Sequence, residues 1–322
     1  EKILWAKARE GVEVKIIFDD FGNIKRFSGE TIDRLREVGV EVFIFNPVHE
    51  YVNRLHFNYR DHRKIACIDG DVAYTGGVNI ADEYANIIER FGYWKDSGIC
   101  LEGEGAWGLT REFIYMWERL GGEMHNEHDY YRPHTPVKSE GFCQPFTDGP
   151  QNNPDNPAED VFLQMISGAR RFLYITTPYF IPDESLMRAL CIAGDGGVDV
   201  RLMLPGKPDH WYADCVAESY FGELIKHGVK VYRYTPGFLH GKSIMVDREA
   251  AFVGSANMDY RSFELDYECG VMVYSTPMIE SLLEDMDMIV DHSRLVTKEE
   301  WAKRSVLRRV FEPLLRLFAI WM

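Results

Sequence analysis

Five residue types recur in this chain at matched intervals, in two copies 178 positions apart. The first copy is His62, Lys64, Asp69, Gly76 and Asn79; the second is His240, Lys242, Asp247, Gly254 and Asn257. A histidine and a lysine two apart on a strand project from the same face. Lysine brings a point charge, asparagine a neutral amide, and Gly77 and Ser255 are small enough to let main chain approach an anion. Near neutral pH a histidine can be nucleophile or proton carrier. Such a set suits a phosphate ester: one histidine attacks phosphorus while the other protonates the leaving oxygen. A lone His-x-Lys reads as a solvated strand edge. Its repetition in step with Asp, Gly and Asn reads as one site built twice.

A histidine used this way needs its second ring nitrogen held, usually by a carboxylate. Glu268 follows His240, and aligning Lys95-Asp96-Ser97-Gly98 with Tyr267-Glu268-Cys269-Gly270 puts Asp96 in the matching place. Asp96 and Glu268 are therefore the candidate histidine orienters. No metal is expected, because lysine is not an ordinary ligand and no histidine pair has H-x-x-x-H or Cys/His spacing. His125, His128 and His134 read as rim or solvated residues, and Tyr93 and Trp94 as core aromatics.

Behind these residues stands a repeated series of elements. Apolar alternation predicts strands over 11–18 and 197–204, each after a helix and each followed by a helix (29–38, 214–227) and a second strand (40–45, 229–234). Then comes the motif: residues 65–68 read as a buried strand, Asp69-Gly70 as a hairpin turn, and 72–75 as a return strand that carries Asn79 back toward His62. A leading helix and strand, 161–168 and 172–176, have no counterpart in the first half. The chain also opens on Glu1 within a helix over 2–9, so an N-terminal truncation is expected. Residues 123–159 show no sustained period and read as an interdomain connection or active-site rim. The expected fold is α/β, with two pseudo-symmetric lobes over 1–141 (incomplete at its start) and 142–322. Each lobe is a mixed β-sheet flanked by helices, with the active site between them.

A chain of 322 residues with 46% hydrophobic and 27% charged residues can bury two ordinary cores. Its net charge of -15 argues against a nucleic-acid partner. Six scattered cysteines read as reduced, cytosolic-side thiols. No apolar run reaches the ~18 residues that span a bilayer. Residues 306–322 instead place Leu, Val, Phe and Trp on one side and Arg on another, the pattern of a basic amphipathic helix at a membrane interface facing anionic headgroups.

The doubled His-x-Lys-x-x-x-x-Asp with its Gly-Gly/Ser-x-Asn segment resembles the phospholipase D superfamily. Phe18–Gly22, Arg60–Ile65, Thr75–Tyr84, Gly92–Asp96, Thr176–Phe180 and Asn257–Leu265 are similar to the bacterial cardiolipin synthases within it. The resemblance implies a covalent phosphohistidine, no metal or other cofactor, and transfer of a phosphatidyl group between two phosphatidylglycerol molecules, releasing glycerol. By the same resemblance His62 and His240 are the nucleophile and the general acid/base, with His62 favoured as nucleophile and the symmetry of the two copies leaving the roles nearly interchangeable. Lys64, Lys242, Asn79 and Asn257 hold phosphate oxygens, and Asp69 and Asp247 support the motif architecture. The implied location is the bacterial cell membrane, catalytic domain on the cytoplasmic side, with membrane-spanning helices expected before residue 1. Asp266 stands where the family pattern leads one to expect Asn. A hydrolytic phospholipase D, a nuclease and a non-catalytic lipid-binding module are the alternatives, and neither the acceptor alcohol nor the oligomeric state is readable.

Overall fold

The computed structural model describes residues 1–23, 29–48, 57–124, 131–138, 141–304 and 315–317. Its strands and helices make a mixed α/β protein in two compact units, one of residues 1–62 and 111–130 and one of residues 63–110 and 131–322. In the first unit, helix Lys2–Arg9 leads into strand Lys15–Asp19, which pairs in parallel with Glu41–Phe45. Parallel strands need a crossover between them, and helix Gly29–Arg36 provides it. Ile32, Leu35, Val40 and Val42 form the core there, with Ile16, Phe18 and Ile44 packed against them. Buried Asp19 accepts the Asp61 N–H at 3.1 Å and pairs with Arg60 at 3.6 Å, while Arg60 donates to the Asn46 carbonyl at 2.7 Å. The chain is thus pinned just before half-buried His62.

The second unit is built on a larger sheet. Asp199–Pro205 runs parallel to both Phe172–Thr176 and Lys230–Tyr234, with helices Glu184–Asp195 and Trp211–Lys226 as crossovers. Beyond Phe172–Thr176 the pairing turns antiparallel, through Ser243–Val246 and Ala250–Gly254 to Asp266–Tyr274. Phe142–Asp148 then pairs along Asp266–Tyr274 for seven residues. Sequence reading had placed this stretch in a connection without regular structure; Pro145 breaks the strand pattern, and an outer strand tolerates it.

Both motif copies are hairpins with a third antiparallel strand. The first is Ile65–Ile68, Val72–Gly76 and Gly98–Glu102; the second is Ser243–Val246, Ala250–Gly254 and Asp266–Tyr274. Gly76 faces Gly98 in one and Gly254 faces Gly270 in the other, so Asp96 and Glu268 lie two residues before equivalent glycines. The turns match as well: Asp69 and Gly70 have φ of 55° and 71°, Asp247 and Arg248 of 54° and 61°. Two successive left-handed residues are what a tight hairpin of this twist requires. The copies differ in burial. Ser243–Val246 lies between two strands and is fully buried, whereas Ile65–Ile68 is the outer strand of its sheet and alternates half-buried with exposed residues, correcting the buried strand expected there.

Trp94 is buried as expected, but Tyr93 is 54% exposed. All six cysteines are free. Among the described residues no helix is long and apolar enough to cross a membrane. His125, His128 and most of 306–322 lie outside the described residues; within 315–317, the Arg316 guanidinium sits 3.7 Å over the Tyr220 ring.

Candidate active site

His240 owes its place to two three-residue strands. Gly237–Leu239 pairs in parallel with Tyr93–Lys95, Leu239 opposite Lys95, so the next residues, His240 and Asp96, are brought side by side. The His240 N–H donates to the Lys95 carbonyl at 2.7 Å, and His240 Nδ1 lies 2.8 Å from Asp96 Oδ2. Asp96 Oδ1 accepts the Ser97 N–H at 2.8 Å. The carboxylate of the first copy therefore holds the histidine of the second. Sequence alignment makes Asp96 the first copy's counterpart of Glu268, on the side of His62; the structure sets it on His240 instead. Gly77 fits closely against it: a Cβ there would come 2.2 Å from Asp96 Oδ1. The Gly77 N–H donates to the Ser97 carbonyl at 3.0 Å, and the Ser255 N–H to the Cys269 carbonyl at 2.8 Å, the same bond in both copies.

Lys242 Nζ lies 2.9 Å from each ring nitrogen of His240 and donates to the His240 carbonyl at 2.6 Å. Both residues are buried. Burial, then the charges of Lys242 and Lys64, push His240 down to about 3 against the pull of Asp96. Lys242 is pushed down to about 7, again chiefly by burial and further by Lys64, with Asp96 and Glu268 opposing. Burial also works against ionised Asp96, but His240, Lys242 and the Ser97 N–H outweigh it and hold the carboxyl below its usual range. The result is a neutral imidazole whose Nδ1–H points at Asp96, which leaves a lone pair on Nε2. A lysine ammonium at the centre suits an anion.

Of the other predicted residues, Asn79 is tied to this pair through Tyr84, whereas Asp247 sits away from it at the hairpin turn. Asn79 Nδ2 donates to the Tyr84 hydroxyl at 2.6 Å, and the Tyr84 ring stands edge-on to His240 at 5.1 Å. Trp94 and Phe238 complete the aromatic wall, at 5.6 and 5.7 Å from the imidazole. Tyr84 was not singled out from sequence, although it lies in the quoted stretch 75–84. Glu268 is buried and accepts the hydroxyls of Ser255 and, at 2.8 Å, Ser262. The Asn257 N–H donates to Ser262 Oγ at 3.0 Å. Asp247 accepts three main-chain N–H groups, from Arg170, Arg171 and Phe172, at 2.7 to 2.8 Å. Beside Glu268, Asp266 is buried and 3.1 Å from Arg261; burial raises it well above the usual carboxylate range, which favours the neutral form closest in shape to the Asn expected there. Lys64, Asp69, Gly77, Asn79, Asp96, His240, Lys242, Asp247, Ser255, Asn257 and Glu268 all fall in the second unit, and His62 is the last residue of that stretch of the first.

The profile of the family described as cardiolipin synthase, PLD-like domain, matches residues 1–88 and 162–290. A cardiolipin synthase of Halalkalibacterium halodurans is 39% identical over 321 residues, covering 99% of this chain and 63% of its own length. One of Geobacillus kaustophilus is 37% identical over 320 residues, again covering 99% of this chain and 63% of its own. The chain thus spans less than two thirds of either synthase. Among solved structures, the phosphatidylserine synthase of Haemophilus influenzae superposes with a TM-score of 0.64 at 14% identity, over 99% of this chain and 90% of its own, a likeness of fold.

Proposed function

This chain belongs to the cardiolipin synthase family of phospholipase D-like domains, and on that premise we propose that it transfers a phosphatidyl group from one phosphatidylglycerol to a hydroxyl of another, giving cardiolipin and glycerol. The observation that carries the reading is the buried His240, neutral, fixed by Asp96 at 2.8 Å and with Lys242 Nζ 2.9 Å away. Once the bound phosphodiester offsets the lysine charges, His240 takes up a proton at Nε2; His62 then attacks phosphorus, the bond to the glycerol oxygen breaks, and His240 gives that oxygen the Nε2 proton. In the second step His240 takes the proton of the incoming hydroxyl, whose oxygen displaces His62 and restores both imidazoles. A phosphodiester anion cancels the lysine charges that depress His240, so its affinity for a proton rises when substrate binds. Lys64, Lys242, Asn79 and Asn257, with the main chain at Gly77 and Ser255, hold the phosphate oxygens. Glu268 orients His62 by the pseudo-symmetry that relates it to Asp96, while Asp69 and Asp247 shape the turns. We take residues 1–141 and 142–322 as the two pseudo-symmetric lobes, and no step calls on a metal or cofactor.

A second assignment, with His240 as nucleophile, is favoured by one observation: its ring is neutral, with Nε2 left as an acceptor that faces Lys242 Nζ at 2.9 Å and would be released when that ammonium turns to the phosphate. Mapping the phosphorylated peptide after acid-free quenching separates the two.

The proposed partner is an anionic membrane surface on the cytoplasmic side of a bacterial cell. Supporting this, Val78, Ile80, Ile87 and Ile88 are exposed on the loop that carries Asn79 and Tyr84. Incubation with labelled phosphatidylglycerol vesicles should give cardiolipin and glycerol, and His62→Ala or His240→Ala should lower the rate by about 10⁴-fold or more. Phosphatidic acid as sole lipid product would make it a hydrolase, and near-normal turnover by either variant would sink the mechanism.

A further inference from the structure

Among the described residues, the buried side-chain atoms around this site without a hydrogen-bond partner are Trp94 Nε1, Asp266 Oδ1, which faces Arg261, and two further acceptors, Asp209 Oδ1 and Asn257 Oδ1. Buried acceptors without donors are costly, and proteins rarely keep them without a use. The fold links the segments that carry Asp209 and Asn257 through Tyr179. Phe180–Ile181 pairs in parallel with Met258–Asp259, Phe180 opposite Met258, so the preceding residues, Tyr179 and Asn257, run alongside each other. Thr177 Oγ1 locks the two segments by accepting the Met258 N–H at 3.2 Å while donating to the Tyr179 carbonyl at 2.7 Å. The Tyr179 hydroxyl then donates to Asp209 Oδ2 at 2.7 Å. That bond fixes the carboxylate and leaves Oδ1 as the open acceptor. On its other side the pair is near the first motif copy: Asp209 and Tyr84 interact electrostatically, and Tyr84 is bonded to Asn79 and set against His240. Lys207, two residues before Asp209, reaches the Gly92 turn that leads into Trp94.

A ligand that satisfies both acceptors next to a phosphate site must bring two donors. We propose that Asp209, positioned by Tyr179, together with Asn257 forms the subsite that binds the hydroxyls of a glycerol headgroup. The inference rests on the phosphatidyl-transfer reading and deepens it. By microscopic reversibility the departing glycerol and the attacking glycerol hydroxyl pass through one position, so one subsite serves both half-reactions. An ammonium headgroup is a poorer match, because Tyr179 already occupies Oδ2 and the amide oxygen of Asn257 carries no charge.

The test compares two donors that share the phosphatidyl group and differ in the leaving group: phosphatidylglycerol, with its two free hydroxyls, and phosphatidyl-p-nitrophenol, with none. Asp209→Ala should lower kcat/KM for glycerol release from phosphatidylglycerol by about 10- to 100-fold, the usual worth of hydrogen bonds to a charged group. It should leave nitrophenol release within about 2-fold. Tyr179→Phe, which keeps the ring and its packing, should move the same ratio by a few-fold, and Asp209→Asn should fall between. An unchanged ratio in Asp209→Ala and Tyr179→Phe overturns the subsite, and so does a parallel fall on both donors, which would mark a structural role. Selective loss on phosphatidylethanolamine, with phosphatidylglycerol unaffected, also overturns it in favour of an ammonium site. Failure of the parent reading shows separately: the unaltered protein would then release nitrophenol yet form no cardiolipin.

Discussion

Lys242 is the residue on which the electrostatics of the site turn. Burial pushes its ammonium down to about 7, with Lys64 adding to the effect and Asp96 opposing it. Because the folded value is depressed, the charge is present below about pH 7 and is lost as pH rises through it, long before an exposed lysine would lose its proton. The free protein governs kcat/KM, so kcat/KM for phosphatidylglycerol should fall above about pH 7, while kcat, set by the complex in which a phosphate anion holds the ammonium charged, should fall later. Arginine stays charged throughout this range, so Lys242→Arg should be slower overall but should lose the alkaline limb of kcat/KM. Profiles from pH 5.5 to 9 check this, and a limb of the same shape in Lys242→Arg would assign the titration elsewhere. His240, pushed down to about 3 in the free protein, titrates there below that window.

At the scale of elements, the hairpins are the units that the repeated motif encodes. Each turn needs two residues at positive φ, which Asp69-Gly70 announces openly and Asp247-Arg248 does not. The second turn is instead held from outside, by the three N–H groups that Asp247 accepts from 170–172. Asp247→Ala leaves those donors unpaired and puts a Cβ-bearing residue with no compensating side chain at φ 54°, so it should cost about 2–4 kcal/mol by urea denaturation. Asp247→Asn, which tolerates the conformation and keeps one oxygen, should cost less. Although burial opposes its charge, the N–H donors win and lower the Asp247 carboxyl, so its contribution is full above the unfolded-state value near 4 and fades below it. Equal midpoints for all three proteins at pH 7 would remove Asp247 from the architecture. These hairpins could be read from sequence because their signals are local: a period of two, a turn dipeptide, a return strand. The Asp96–His240 pairing could not, since it depends on two strands of three residues, 93–95 and 237–239, too short for any period to show. Strand Phe142–Asp148 was hidden for a related reason, its pairing with Asp266–Tyr274 being visible only once the sheet is assembled.

Taken whole, the protein carries a net charge of -15, and its proposed substrate surface is also anionic, so the net charge opposes their approach. The proposed attachment to a bilayer would then draw on apolar contact near the site. The loop between Gly76 and Tyr93 is made for it: Ile80, Ile87 and Ile88 are 107%, 73% and 55% exposed. Asn86 keeps the loop in shape, accepting the Trp94 N–H at 2.7 Å and donating to the Trp94 carbonyl at 3.0 Å. The same loop supplies Asn79 and Tyr84 to the surroundings of His240, so a partner protein seated on it would obstruct the site, whereas a bilayer would present substrate to it. Partial insertion of an isoleucine is worth roughly 1 kcal/mol, about half of full burial. Replacing Ile80, Ile87 and Ile88 together by Ser should therefore weaken partition into phosphatidylglycerol vesicles by about 100-fold. The melting temperature should not change, because the side chains contribute little to the core. Turnover of a short-chain phosphatidylglycerol kept below its micelle concentration should stay within about 2-fold. Vesicle binding undiminished in the triple variant would show that the bilayer is met by another surface, and a matching loss on the soluble substrate would show that the loop shapes the site itself.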